Sequence, residues 1–284
     1  MTYCLGIITQ YGLIMASDSR TNAGNDQVNT VRKMHNFTTP GERVFTLLTA
    51  GSLSCSQSIL TLLRRQYDKG AGLAAALTMY DAARVVGDAV REVSAADRAS
   101  LERDGYQFNT HIILGGQIKG DKPALFLIYP QGNPLQTSED CPFVQIGETK
   151  YGRPILDRGI RYDKTSLEEA CKYALLSLDS TMKSNVTVGP PIDLLAYSTD
   201  ELELRRHRRF AADDPALMKM RARWDQGLRT AVSRLPDIRF RVTPTTGPVS
   251  ATDEGSIELV DTLASSDSSD AQPQMTQQAR TNTK

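Results

Sequence analysis

The strand-like run at the very start of the chain constrains the fold more than any other stretch. From Thr2 to Thr9 the residues are uncharged and mostly apolar or β-branched, which is the pattern of a buried strand. The run lacks the basic start, the longer apolar stretch and the small-residue cleavage site of a secretory signal. Chain termini are usually frayed and exposed. A terminus that enters a core strand directly therefore needs a reason.

Thr2 offers a chemical reason. If Met1 is removed, Thr2 carries a free α-amine beside its own hydroxyl, and threonine at the second position is small enough for an aminopeptidase to remove Met1. An α-amine has an ordinary pKa of about 7.7–8.0, so it can act as the general base for that hydroxyl. The alternative is that Thr2 is an ordinary strand residue, and this stretch alone leaves both interpretations open. We expect a mature chain that begins at Thr2.

Charge and composition exclude several other classes of protein. Lys+Arg and Asp+Glu both number 33 among the 284 residues, so the net charge is zero, which argues against nucleic-acid binding and electrostatic membrane binding. No stretch approaches the roughly 18 apolar residues of a membrane span. The cysteines are scattered without a CxxC pair, which favours reduced thiols in a cytoplasmic protein. They are Cys4, Cys55, Cys141 and Cys171.

The order of the predicted elements gives the fold class. The first fifty residues read as two strands, a polar loop and two more strands, the second pair being Val31–Phe37 and Arg43–Ala50. Two helices follow, at 54–68 and 73–95, with Ser52 or Ser54 as the cap of the first. Further strands are predicted at 108–114, 122–129, 143–146, 192–197 and 201–209, and further helices at 170–182 and 216–235.

Local signals support the two later helices. Thr165 and Glu168 form a capping-box pattern, and Asp214-Pro215 is a typical cap followed by a first-turn proline. Strands and helices in this order predict an α+β fold, a four-layer αββα sandwich of two antiparallel sheets flanked by helices. The domain is predicted to span residues 1–242. Residues 243–284, where Ser, Thr, Gln, Asp and Pro dominate, are predicted to be a disordered tail.

Asp18 and Lys33 are the first candidates for a functional pair. Asp18 follows a buried strand, and Lys33 lies inside the next strand-like segment, where lysine is uncommon. A buried lysine needs a partner, and Asp18 is the natural one. If the pair lies under Thr2, the positive charge of Lys33 lowers the pKa of the threonine hydroxyl or amine. The alternative is a Lys33 that points to solvent from an edge strand.

Gly51 ends a strongly strand-like run and precedes a predicted helix. Glycine lets the backbone approach a ligand closely. Its N–H, near a helix N-terminus, can stabilise an oxyanion. The alternative is a plain glycine at the entry to a helix.

Together these residues resemble the β-type proteasome subunits, which are N-terminal-nucleophile hydrolases. The resemblance is carried by Thr2, Ser17-Asp18-Ser19-Arg20, Ala23-Gly24, Lys33 and Ala50-Gly51, and it extends through Gly147 and Ser184-Asn185 to about residue 240. Within that superfamily, the Met1-Thr2-Tyr3-Cys4 start, residues 16–24 and Asn185–Asp193 are most similar to the bacterial Anbu (ancestral beta-subunit) family. The resemblance implies catalytic roles for Thr2, Asp18, Lys33 and Gly51.

The same resemblance implies roles for residues around that centre. Ser184 would lie by the threonine amine, Arg20 would brace the loop, and Glu148 and Asn185 would support the site. Three positions depart from the proteasome pattern. Thr181 stands where active subunits carry an aspartate, with Asp179 nearby but out of register, and Glu148 stands where a serine is expected. Asn22 replaces a threonine whose backbone binds substrate, a role that a backbone retains.

Other motifs indicate no further site. Gly115 to Gly120 is not a dinucleotide-binding fingerprint and is predicted to be a hairpin turn. His35, His111 and His207 have no metal-ligand spacing, and we expect no metal or organic cofactor. The basic run Arg205–Arg209 is interpreted as a solvated strand or a subunit contact. Cys4, a candidate thiol nucleophile, has no obvious histidine partner and is predicted to pack in the first strand.

The sequence thus predicts a proteasome-like threonine peptidase or amidohydrolase that assembles into a ring or spiral. The family packs through its helical layers, so helices 54–68 and 73–95 are expected to face a neighbouring subunit. Two alternatives stay open: a non-catalytic assembly subunit, and a hydrolase of an isopeptide or another special amide rather than of general proteins. The number of subunits, any gating or unfoldase partner and the substrate are not specified by the sequence.

Overall fold

A computed structural model describes residues 2–23 and 27–240. The predicted tail, 243–284, lies outside the described residues. Strands dominate the first half of the chain. The strands are β1 (Tyr3–Thr9), β2 (Gly12–Ser17), β3 (Arg20–Ala23), β4 (Gln27–Thr30), β5 (Met34–Thr39), β6 (Arg43–Gly51), β7 (Thr110–Ile118), β8 (Ala124–Ile128), β9 (Pro134–Gln136), β10 (Phe143–Gly147), β11 (Ile192–Ser198) and β12 (Arg206–Phe210). The helices are α1 (Leu53–Tyr67), α2 (Met79–Arg103), α3 (Arg153–Gly159), α4 (Leu167–Ser184) and α5 (Pro215–Val232).

The strands form two five-stranded antiparallel sheets and a separate hairpin. The first sheet has the order β10-β1-β2-β11-β12, and the second has the order β5-β6-β7-β8-β9. Within the described ranges, strands β3 and β4 form a two-stranded sheet of their own. Because β1 is the second strand of its sheet, with β10 and β2 on either side, the start of the chain lies inside a sheet rather than at an edge.

Alternation along β1 explains the layers. Tyr3, Leu5 and Ile7 belong to the cluster that packs under α3 and α4, whereas Cys4 and Ile8 belong to the cluster between the two sheets. Successive strand residues point to opposite faces, so a strand buried on both faces is apolar throughout. A third cluster fills the space between the second sheet and helices α1 and α2. The result is the αββα sandwich that the sequence predicted.

The chain divides into two compact units, residues 1–222 and 223–284. The first contains both sheets and helices α1 to α4. In the second, the described residues 223–240 continue α5 to Val232 and then have no regular secondary structure. The predicted domain boundary at residue 242 lies outside the described residues. Among the described residues, no helix is long and apolar enough to cross a bilayer.

Several predicted boundaries are wrong near the candidate site. The expected strand Val31–Phe37 begins only at Met34, so Lys33 lies in the connection before β5. The predicted polar loop after β2 contains β3, which pairs with β4. These short strands are polar and form a detached two-stranded hairpin, so they carry no alternating apolar signal.

Other differences concern helix starts and glycines. The helix predicted at 73–95 is a short 3-10 turn at Gly72–Ala74 followed by α2. The capping box before α4 is Ser166 with Glu169, one residue later than predicted. Gly115 and Gly116 lie within β7 rather than in a turn. Glycine is favoured at both positions because an added Cβ atom would collide with Met15 at Gly115 and with the Val44 carbonyl at Gly116. Asp214 does cap α5, accepting hydrogen bonds from the N–H groups of Ala216 and Leu217.

Candidate active site

Thr2 lies immediately before β1, at the end of the first sheet where β1, β2 and β10 come together. Its carbonyl accepts a hydrogen bond of 2.8 Å from the Glu148 N–H, and the next residue, Tyr3, pairs with Gly147 of β10. Thr2 is half-buried. Its backbone is therefore fixed on one side by the turn that follows β10.

Asp18 and Lys33 form a buried ion pair beside this position. Lys33 Nζ lies 2.6 Å from Asp18 Oδ1, and it also donates to the Arg20 carbonyl at 2.6 Å. Asp18 is fully buried and the Lys33 side chain is 7% exposed. The same Asp18 oxygen accepts the Tyr3 N–H at 3.0 Å. The pair is thus hydrogen-bonded to the residue that follows Thr2, and the alternative, a Lys33 that points to solvent, is wrong.

The second Asp18 oxygen is also fully used. Oδ2 accepts the N–H groups of Arg20 and Gly189, each at 3.2 Å. Burial raises the pKa of the Asp18 carboxyl above its ordinary value, while the charge of Lys33 and the N–H donors act against that rise. Each Asp18 oxygen accepts two hydrogen bonds, so the carboxylate is fixed in place. A fixed carboxylate in turn holds Lys33 in one orientation.

Gly51 is the last residue of β6 and has φ +109°, a conformation that favours glycine. A Cβ at this position would lie 1.9 Å from the Asn109 carbonyl oxygen. The end of β6 approaches the start of β1, since the Cys4 thiol contacts the Thr49 carbonyl at 3.7 Å. Helix α1 begins two residues after Gly51. The strand end, the tight turn and the helix start therefore occur together here.

Glu148 and Asn185 meet beside Thr2. Glu148 is buried, its N–H donates to the Thr2 carbonyl, and its carboxylate accepts a hydrogen bond of 2.8 Å from Asn185 Nδ2. Lys150 lies 3.6 Å from the other carboxylate oxygen. Ser184, the last residue of α4, is exposed. A carboxylate with an amide partner thus occupies the position where a serine was expected.

Arg20 contacts the segment that leads from α4 to β11. The Arg20 guanidinium donates to the Val186 carbonyl and packs against Gly189, where an added Cβ would lie 2.4 Å from its central carbon. Asn22 lies on β3, paired with Val28 of β4. Arg20 therefore connects the loop after β2 to the segment after α4.

Thr181 and Asp179 lie on α4 and make structural contacts. Thr181 Oγ1 donates to the Ser177 carbonyl within the helix at 2.9 Å. The Asp179 carboxylate binds Arg221 and lies 3.7 Å from Lys183. At the end of α4 the C-cap residue Asn185 contacts Glu148, the residue whose N–H binds the Thr2 carbonyl.

Sequence reasoning missed two contributors to the site, Gly189 and Tyr3. Gly189 acts through its backbone N–H and carbonyl groups, and a backbone contact is not marked by the residue type in the sequence. Tyr3 is buried, with its hydroxyl 2.6 Å from Ser177 Oγ and in contact with Gln145, and burial raises its pKa to about 12. Its position directly after Thr2 was the available signal.

The remaining motifs lie outside this site. His35, His111 and His207 lie on β5, β7 and β12, and the described part of the chain holds no cluster of three or more His, Cys, Asp or Glu suited to a metal ion. Each arginine of the basic run from Arg205 to Arg209 is paired with a carboxylate. Glu203, Glu201, Asp214 and Asp193 supply those carboxylates. The positive charges of this run, most of which lies on the edge strand β12, are thus neutralised by neighbouring carboxylates.

Gly147 provides a test of how tightly Thr2 is seated. It has φ +86°, and a Cβ there would lie 1.8 Å from the Thr2 carbonyl oxygen. Gly41 has φ +76° but open space around it. Gly41→Ala should cost only the left-handed backbone strain of about 1–2 kcal/mol, whereas Gly147→Ala should cost clearly more and loosen the start of β1. Denaturant midpoints of both variants give the comparison, and equal losses would contradict a tightly packed Thr2.

Known proteins share both the sequence and the fold of this chain. A family model described as proteasome subunit matches residues 2–195. The structure of an Anbu mutant from a Hyphomicrobium species is 45% identical and covers 85% of this chain and 100% of its own, with a TM-score of 0.79. The chain belongs to the Anbu branch of the proteasome subunit family. Anbu from Yersinia bercovieri is similar at 43% identity, covering 84% of this chain and 100% of its own, with a TM-score of 0.78.

Two further relatives bear on function. Anbu from Pseudomonas aeruginosa, solved as a helical assembly of the Anbu complex, is 44% identical, covers 86% of this chain and 98% of its own, and has a TM-score of 0.79. A proteasome subunit beta of Haloquadratum walsbyi is 27% identical over 213 residues, which is 74% of this chain and 78% of that protein. Anbu membership and the proteasome-like fold are thus established together.

Proposed function

We propose that this Anbu protein is a threonine-type amidohydrolase in which Thr2 becomes the N-terminal residue. The observation that carries the proposal is the buried Lys33–Asp18 pair, at 2.6 Å, hydrogen-bonded to the N–H of the residue after Thr2. A desolvated ion pair that makes no contribution to a site is a poor source of stability. Its position beside a hydroxyl nucleophile gives it a chemical role.

The proposed reaction proceeds in two stages. The Thr2 hydroxyl transfers its proton to the Thr2 α-amine as its oxygen attacks the amide carbonyl, and the Gly51 N–H holds the developing oxyanion. The C–N bond then breaks, and the leaving amine takes the proton from the α-ammonium group. Water next attacks the resulting ester, with the α-amine again as base, and releases the acid and free Thr2. The positive charge of Lys33 lowers the pKa of the nucleophile throughout.

Other residues support substrate binding and proton transfer in this proposal. The backbone of Asn22, on the two-stranded hairpin, pairs with an extended substrate. Glu148 and Asn185 lie on the other side of Thr2 and supply a carboxylate and an amide, and the Glu148 carboxylate stands where the proteasome pattern has a serine hydroxyl. Ser184 adds a hydroxyl at the end of α4, and Arg20 keeps the loop after β2 in place. No cofactor is assigned.

Intact mass spectrometry with N-terminal sequencing, before and after reaction with an epoxyketone or β-lactone probe, tests this function. We expect a chain that begins at Thr2 and gains one probe mass on that residue. Thr2→Ala should gain none. A folded wild-type protein with a free Thr2 that never reacts would remove the hydrolase proposal and favour a non-catalytic assembly subunit.

One observation favours a specialised substrate over general proteins. The buried Glu148 carboxylate beside Thr2 adds negative charge where the proteasome pattern has a serine. Such a charge disfavours acidic groups near the scissile bond. Cleavage of a mixture of peptide and isopeptide substrates, read by mass spectrometry, distinguishes a narrow substrate class from general proteolysis.

We further propose that the protein self-associates through α1 and α2. The Pseudomonas aeruginosa relative forms a helical assembly, and here Ser54, Gln57 and Thr61 of α1 line a groove with Glu92 and Ala96 of α2. A cytoplasmic location is part of the proposal, supported by the four free cysteines.

Ser58→Arg on the exposed face of α1 tests this interface. An arginine side chain in this groove should dissociate the assembly, because its bulk and its charge would both have to be buried in the contact between copies. Light scattering at micromolar concentration should show the wild type as an oligomer and Ser58→Arg as smaller species. Gln136→Arg, the same change of charge on exposed β9, is the control and should leave the assembly intact. A strictly monomeric wild type would contradict the proposal.

A further inference from the structure

Asp193 is a buried carboxylate that the proposed reaction does not use. It is 2% exposed and lies on β11, directly opposite Ser17 of β2 on one side and Arg209 of β12 on the other. Charged side chains are almost never fully buried unless they are paired. A reason for placing a second aspartate so near Asp18 is therefore needed.

The contacts of Asp193 lead to the loop that carries Asp18. Its Oδ2 accepts a hydrogen bond of 3.3 Å from Ser19 Oγ and one of 2.5 Å from Arg209, while His207 Nε2 lies 3.5 Å from Oδ1. Ser19 is fully buried. Arg209 compensates the charge from the edge strand, and the Ser19 hydroxyl connects the Asp193 carboxylate to the loop that carries Asp18.

Asp193 also belongs to the same buried group of charges as the catalytic pair. Asp193, Ser17 and Cys4 are cross-strand neighbours on the face between the two sheets. The pKa of the Cys4 thiol is raised mainly by burial, and it is also influenced by the charges of Lys33, Asp18 and Asp193. The cross-strand pairing of Cys4 with Ser17 and of Ser17 with Asp193 therefore places Asp193 in the same buried region as the ion pair.

The segment that precedes Asp193 is hydrogen-bonded to the loop after β2, which carries Asp18 and Ser19. Gly189 accepts the N–H groups of Ser19 and Arg20, each at 3.2 Å, and donates its own N–H to Asp18. Ser19 in turn accepts the Val31 N–H at 2.8 Å, two residues before Lys33. Ser19 thus connects Asp193 to both halves of the ion pair.

We propose that Asp193 is a positioning residue that, through the Ser19 hydroxyl, holds Asp18 and Lys33 in the orientation that Thr2 requires. The proposal rests on the proposed function for its catalytic consequence, but the positioning itself is a property of the loop. A misplacement of about 1 Å in a catalytic group can cost about a hundredfold in rate. The loss of the Asp193–Ser19 link should therefore slow the covalent step while probe binding stays unchanged.

A double-mutant cycle on Thr2 labelling tests the link. Asp193→Ala and Ser19→Ala should each lower the rate constant of covalent labelling about ten- to hundredfold without changing the affinity for the β-lactone. The double variant should be no slower than the slower single variant, because both remove one interaction. Multiplying effects, or a change in affinity alone, would overturn the proposal.

Asp179 gives a matched control. It is also 2% exposed and is also paired with an arginine, Arg221, but it lies on α4 and does not contact the loop after β2. Asp179→Ala should lose comparable stability and keep the wild-type labelling rate. An equal fall in labelling for Asp179→Ala would reduce Asp193 to a structural role. If Asp193→Ala fails to fold, Ser19→Ala carries the test, with the same expected slowing because it removes the same hydrogen bond from the donor side.

Hydrogen exchange separates this proposal from the proposed function. The amides of Ser19, Arg20 and Val31 should exchange faster in Asp193→Ala and Ser19→Ala than in wild type, and at the wild-type rate in Asp179→Ala. If the wild type never labels, the hydrolase proposal fails, while faster exchange still supports the positioning role. Unchanged exchange at these three amides in Asp193→Ala overturns it in either case.

Discussion

Lys33→Ala should abolish labelling of Thr2 and lower the free energy of unfolding by about 3–5 kcal/mol, the usual cost of leaving one partner of a buried ion pair alone. The partner left behind is Asp18, which is fully buried. The N–H groups of Tyr3, Arg20 and Gly189 would still bind it, but no charge would oppose its own. Labelling rates by mass spectrometry and denaturant midpoints measure the two effects separately.

The stability loss in Lys33→Ala should depend on pH in one direction. Burial already raises the pKa of Asp18, and Lys33 is the largest influence against that rise. Without Lys33 the folded-state pKa rises further above the unfolded value of about 3.9. The folded variant then binds a proton that the unfolded chain releases, so stability falls as pH rises through that window. The difference from wild type should be smaller at pH 5 than at pH 8.

Lys33→Arg separates charge from geometry. The wider guanidinium keeps a positive charge but does not fit a site shaped for a point charge, where Nζ contacts both Asp18 and the Arg20 carbonyl at 2.6 Å. It should recover part of the stability and none of the labelling. Both variants labelling like the parent would contradict a catalytic role for Lys33.

Freeing the Thr2 amine should have a comparably large effect on reactivity. A chain with a removable N-terminal extension ending directly before Thr2 keeps the amine in a peptide bond, where it cannot accept a proton. Cleavage of the extension should raise the labelling rate by about 10²- to 10⁴-fold, the usual contribution of a positioned general base. Mass spectrometry on the same sample before and after cleavage measures the change.

Two variants control the N-terminal experiment. Thr2→Ser retains a hydroxyl beside the amine and should still label after cleavage, whereas Thr2→Ala should not label at all. Labelling of the uncleaved chain at the wild-type rate would show that the amine is not the base. A probe adduct on Cys4 instead of Thr2 would point to a thiol nucleophile, against which the complete burial of Cys4 argues.

Local patterns in the sequence determined the architecture and indicated candidates for the central residues. The uncharged run of β1, the two helices after β6 and the later strand–helix order were sufficient for the αββα sandwich, because burial on two faces requires continuous apolar strands. Thr2, Lys33 and Gly51 stood out locally as a terminus in a core strand, a lysine in a strand-like segment and a glycine at a strand end. The resemblance to β-type proteasome subunits, rather than these patterns, favoured catalytic roles for them and for Asp18.

Only the tertiary structure decided how these residues are connected. The binding of Asp18 by Gly189 and the contact of Glu148 with Asn185 join parts of the chain that are 171 and 37 residues apart. Backbone donors leave no mark in a sequence. The role of Asp193 likewise depends on the register that sets it opposite Ser17, and a shift of one residue would turn its side chain to the other face of the sheet. Patterns in sequence fix what is buried, whereas pairing register fixes which buried groups meet.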